Sequence, residues 1–223
     1  MKYGKLIAIE GPDVAGKSSI IEKLKIMLPV MYDNEKFLYT KEPGNGFQIN
    51  DRCQDIRTQL LTDKNLTVEE QAKLFAESRL LHTKDIIEKL KQGYNVITDR
   101  YIISSFIYQG LILGFQEIFD LNEKTIKLLN DNKIKLNSII FQISEETYEK
   151  RINNRDEEKD AMEDTEKTII LDRIDGFNRI ENQSSLKNID NNMTYTIDAN
   201  GTDFDRVLLD ALKCINQILK EEK

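Results

Sequence analysis

The stretch Gly11-Pro12-Asp13-Val14-Ala15-Gly16-Lys17-Ser18 constrains this chain more than any other, because it fills the pattern G-x-x-x-x-G-K-[ST] completely. Its surroundings agree with it. The apolar run Leu6–Ile9 precedes the pattern, and a helical period over Lys17–Leu28 follows it. A strand, a glycine turn and a helix start in that order turn successive backbone N–H groups toward one point, which makes a seat for phosphate. Lys17 adds a cation and Ser18 a hydroxyl suited to magnesium. The expected contacts to nucleotide phosphates are therefore Gly11 to Ser18, with Ser19 beside them.

The same alternation continues along the chain. Phe37–Tyr39, Asn95–Thr98, Ser138–Ile143 and Tyr195–Ile197 read as further buried strands. Helical periodicity covers Val68–Gln92, Asp120–Asn130, Glu145–Asn154 and Asp203–Lys220. This order predicts an α/β fold, a mostly parallel five-stranded sheet flanked by helices, with ligands at the carboxyl ends of the strands. No repeat or Pro/Gly-rich linker divides the 223 residues, so one domain over 1–223 is expected.

Composition limits the partners. No apolar stretch approaches the roughly 18 residues that a membrane span needs, and the apolar part of Met1–Glu10 is too short for a signal-peptide core. A cytoplasmic, unprocessed protein is expected. Cys53 and Cys214 lie far apart without a CxxC partner, so neither a disulfide framework nor a zinc site is suggested. The 32 basic against 39 acidic residues give a net charge of −7, which disfavours nucleic acid as a partner. A protein of this charge that handles phosphate must gather its useful cations in one place.

Two segments offer such a place. Thr40-Lys41-Glu42-Pro43-Gly44 ends the second strand, and Asp99-Arg100-Tyr101, with Ser104-Ser105 and Tyr108-Gln109-Gly110, follows the third. Asp99 is suited to magnesium and its water, and Arg100 to a bidentate phosphate contact. The plainer reading of Asp99 and Arg100 is a structural ion pair. Phe75 and Arg79, four residues apart on one helix face, suit stacking on a base and bonding to its edge; the plainer reading is a core aromatic and a surface ion pair. His82, the single histidine, reads as a packing or surface residue.

Together, IEGPDVAGKSS, TKEPG, DRYIISSFIYQG and the late IDAN at Ile197 span almost the whole chain, and in this order the sequence resembles the thymidylate kinases, a group of nucleoside-monophosphate kinases. The resemblance implies transfer of a phosphoryl group from ATP to dTMP, giving dTDP in deoxynucleotide synthesis, with Mg2+ and a homodimer. It also implies site roles. Asp13 falls near the acceptor sugar, and Arg100 and Arg57 near the acceptor phosphate. Glu42, Pro43, Phe75, Arg79, Ser105, Tyr108 and Gln109 fall around the base and sugar. Asp198 and Ala199 fall near the donor adenine.

Members of this family carry a catalytic arginine either in the phosphate loop or in a lid. The loop position here is Val14, which leaves the lid. The polar run Asn153–Lys167 is the lid candidate, yet Ala161 stands where a D-R-x-E order would place arginine. Arg155 is the first choice for the lid cation, with Lys159 and Arg173 as alternatives. This departure leaves two competing readings, a nucleoside or nucleoside-monophosphate kinase of altered acceptor choice and a weakly catalytic nucleotide-binding regulatory module.

Overall fold

The computed structural model describes residues 3–44, 51–154, 167–180, 192–201 and 203–221. Five strands, β1 (Leu6–Glu10), β2 (Lys36–Lys41), β3 (Tyr94–Asp99), β4 (Leu136–Gln142) and β5 (Met193–Asp198), form one sheet in the order β2-β3-β1-β4-β5. Every pairing is parallel. Each of the five predicted strands is present, although β4 ends at Gln142, one residue before the expected Ile143, and β2 and β5, expected as buried, are only partly so because they lie at the two edges of the sheet.

The period of two along β1 explains the layering. Leu6 and Ala8 face a core built with α3 (Val68–Lys91), α4 (Ile102–Tyr108) and α6 (Phe115–Asp131). Ile7 and Ile9 face the opposite core, built with α1 (Lys17–Met31) and α9 (Phe204–Lys220). Both faces of β1 are thus buried, as a central parallel strand requires.

The remaining helices are α2 (Asp51–Thr62), α5 (Gly110–Leu113), α7 (Glu145–Ile152) and α8 (Lys167–Asn178). Three of these and α4 were not legible as helices. In α4 all seven residues are buried, so it has no polar face to reveal a helical period. Helix α3 begins with a capping box between Thr67 and Glu70 and ends with Lys89 and Lys91, the charge order its dipole favours. It packs along α6 and α2. Of the expected lid, Asn153 and Asn154 close α7 and Lys167 opens α8, while Arg155, Lys159 and Ala161 lie outside the described residues.

Candidate active site

The phosphate loop begins where β1 ends. Gly11 has φ 145°, and a Cβ there would meet the Phe141 carbonyl oxygen at 2.7 Å, so only glycine fits. Gly16, at φ 91°, turns the chain into α1. Lys17 is buried and its Nζ donates to the carbonyls of Gly11 (3.0 Å) and Pro12 (2.7 Å), which hold it across the loop. Burial, with Arg100 close by, lowers the Lys17 pKa to about 8.

Ser18 Oγ donates to Asp99 Oδ2 at 3.2 Å, while Asp99 Oδ1 is buried and accepts no hydrogen bond among the described residues. A hydroxyl beside a carboxylate with one uncommitted oxygen fits a hard cation that keeps most of its shell in water and phosphate. No cluster of three or more His, Cys, Asp or Glu able to form a full protein cage exists among the described residues.

Next to the loop, a cleft opens between the ends of β1, β2 and β3 and helices α2, α3 and α4. Asp13, Glu42, Pro43, Arg57, Phe75, Arg79, Asp99, Arg100, Ser105, Tyr108 and Gln109 all line it. Segments read separately in the sequence therefore meet at one cleft. Lys41 joins them, and neighbouring Arg57 lowers its pKa. Arg57 Nη1 donates to the Pro43 carbonyl at 3.0 Å, after a cis Glu42–Pro43 bond.

Arg100 does not pair with Asp99. Its guanidinium pairs with Asp13 and also donates to Tyr108 Oη (3.0 Å), Ser104 Oγ (3.1 Å) and the Gly11 carbonyl (2.9 Å). Tyr108 Oη donates to Asp13 Oδ2 at 2.7 Å. Burial works against the Asp13 charge, yet Arg100 and Lys17 hold its carboxyl below the usual range. Burial and the Asp13 charge push the Tyr108 phenol well up, so it remains a donor at neutral pH.

Arg79 is 1 % exposed and so is no surface ion-pair partner. Nε donates to Glu42 Oε2 (2.7 Å), Nη1 to Asn122 Oδ1 (2.7 Å), and Nη2 to Ser105 Oγ (2.9 Å) and the Tyr101 carbonyl (3.3 Å). Four bonds fix its plane against the cleft, with Phe75 one turn before it. His82 is buried rather than exposed: Nε2 is 2.9 Å from Thr40 Oγ1 and Nδ1 is 3.7 Å from Glu42 Oε1.

On the other side of the phosphate loop, Arg151 donates to the carbonyls of Val14 (3.1 Å), Ala199 (2.7 Å) and Gly201 (2.9 Å). This brings Ala199 beside the loop. Asp198 accepts from the Asn200 backbone and side chain, which shapes the turn after β5. Arg173, on α8, lies 4.5 Å over the Tyr108 ring and lines a smaller cavity with Pro12 and Asp13. The sequence carries a mark of it, since Asp172-Arg173-Ile174-Asp175 has the D-R-x-acid order that Asp160-Ala161-Met162-Glu163 lacks. Glu10, Asn122 and His82 gave no such signal, since their neighbours in sequence say nothing of their partners.

The family model for thymidylate kinase matches residues 9–201. The chain is 36% identical over 186 residues to the thymidylate kinase of Mycoplasma mobile, covering 81% of this chain and 85% of that one. It is 31% identical over 195 residues to the thymidylate kinase of Staphylococcus epidermidis, covering 86% and 91%. Its fold matches the crystal structure of thymidylate kinase from Ehrlichia chaffeensis with a TM-score of 0.65, at 22% identity, over 96% of this chain and 99% of that one.

Proposed function

This chain belongs to the thymidylate kinase family, and from that membership we propose that it transfers the γ-phosphoryl group of ATP to dTMP, giving dTDP and ADP. The observation that carries the reading is that the phosphate loop and the acceptor cleft share Asp13 and Arg100. Donor and acceptor phosphates are thereby held side by side.

The chemistry asks little of a base. A monophosphate oxygen is already anionic near neutral pH, so the protein contributes in-line positioning and compensation of charge. Lys17 and the loop amides hold the donor phosphates. Arg100, with Arg57 and Lys41, holds the acceptor phosphate, and Phe75 and Arg79 receive the base. Ser105 and Gln109 border that base, Tyr108 and Asp13 the sugar. Ser18 and Asp99 would hold Mg2+, which would screen the charge of the donor phosphates. Arg155 or Arg173 supplies the lid cation. Asp198 and Ala199 border the adenine. A homodimer in the cytoplasm accords with the family resemblance. No described helix is long and apolar enough to cross a membrane.

The test is a coupled ATP assay against a panel of nucleosides and nucleoside monophosphates. Rapid magnesium-dependent turnover confined to dTMP is expected, and Lys17→Ala is expected to abolish it while the protein stays folded. Turnover of nucleosides instead, or binding without turnover, overturns the reading.

A further inference from the structure

Glu10, the last residue of β1, is 0 % exposed and takes no part in the chemistry above. Its Oε1 accepts from the backbone N–H groups of Tyr101 (2.9 Å), Ile103 (3.1 Å) and Ser104 (3.3 Å). Its Oε2 accepts from Ser104 Oγ at 2.5 Å. Helix α4 has no side-chain cap from its own N-terminal residue, so a carboxylate some ninety positions earlier satisfies its free amides.

The bonding continues to Arg100. Ser104 Oγ accepts from Arg100 Nη1, which also donates to the carbonyl of Gly11, the residue after Glu10. Glu10 therefore reaches the same guanidinium nitrogen twice, once through Ser104 and once through the chain. Arg100 needs such support, because its φ of 66° lies in the left-handed region that side chains other than glycine adopt at a cost.

We propose that Glu10 is a positioning residue for the acceptor phosphate: it locks the start of α4 and, through Ser104 and Gly11, sets the Arg100 guanidinium against the phosphate loop. This rests on the reading that Arg100 holds that phosphate. Capping and positioning can be separated by Glu10→Gln. The amide oxygen of Gln still accepts the three backbone N–H groups, but its NH2 cannot accept the Ser104 hydroxyl proton. It donates to Ser104 Oγ instead, so the Ser104 hydroxyl proton loses its acceptor and the hydroxyl that Arg100 Nη1 leans on must turn. Loss of a buried negative charge would by itself tighten binding of an anion. A weaker hold on dTMP therefore isolates the geometric effect from the electrostatic one.

The experiment measures kcat, KM for dTMP, KM for ATP and Tm in the parent, Glu10→Gln, Ser104→Ala and the double variant. Glu10→Gln is expected to raise KM for dTMP about tenfold, the scale of one charge-assisted hydrogen bond, with KM for ATP within about twofold. Ser104→Ala should move KM for dTMP in the same direction, and the double variant should match Glu10→Gln, since both act on one chain of bonds. Parental constants in either single variant, additive losses, or losses shared equally by both substrates and following Tm overturn the proposal. Should Glu10→Gln fail to fold, Glu10→Asp replaces it, since the shorter carboxylate keeps the charge but not the reach to Ser104, and the same selective rise in KM for dTMP is expected; parental constants there overturn the proposal. A parent without dTMP turnover overturns the activity itself, and is told apart because the parent fails first.

Discussion

Arg79 Nε and Glu42 Oε2 lie 2.7 Å apart, with both side chains no more than 2 % exposed. A charge pair at that depth is costly to break, since removing one member leaves an unpaired charge in a dry site. Glu42→Ala is thus expected to cost about 3–5 kcal/mol by denaturant unfolding. In variants that still fold, KM for dTMP should rise far more than KM for ATP. Equal stability of parent and variant would show that Arg79 finds another partner.

Lys17 supplies a pH dependence whose sign follows from its lowered pKa of about 8. The unfolded chain holds this proton up to the ordinary lysine range, while the free folded protein releases it near pH 8. The unfolded state then binds more protons between about pH 8 and 10.5, so the Lys17 contribution to stability rises with pH across that window. Function runs the other way. ATP binding needs the charged form and should take up protons at pH 8–9, seen as a dependence of calorimetric heat on buffer ionisation enthalpy. Lys17→Arg should abolish the uptake.

Arg151 ties the phosphate loop at Val14 to the turn after β5 at Ala199 and Gly201. Three carbonyls accept from one planar fork, a geometry that a lysine ammonium does not reproduce. Arg151→Ala and Arg151→Lys are both expected to raise KM for ATP about tenfold, with KM for dTMP within twofold. Restoration by Lys would show that charge rather than the fork matters.

Arg173 stands over Tyr108 at the loop face, and Arg155 begins the segment outside the described residues. A cation that meets the transferring group contributes on the order of a thousandfold in related phosphoryl transfer. Of Arg173→Ala and Arg155→Ala, the one that removes the lid cation is expected to lower kcat more than affinity for ATP. Single-turnover rates check this, and a variant with the parental rate removes its residue from the role.

What the sequence determined by itself was everything encoded locally. The phosphate loop needs its glycines, Lys17 and Ser18 at fixed spacing, and the three central strands β1, β3 and β4 read as short apolar runs because both faces of the sheet are covered there. The cleft residues were legible too, since TKEPG and the segment after Asp99 sit at strand ends that a parallel sheet brings together. Tertiary structure alone decided the partners of the buried charges. Arg100 turned from adjacent Asp99 to Asp13, Arg79 found Glu42 and Asn122, and Glu10 found the amides of α4. These pairs join distant parts of the chain, and no local period records them. A buried charge takes whichever partner the packed elements bring within about 3 Å, and that choice exists only once the sheet has formed.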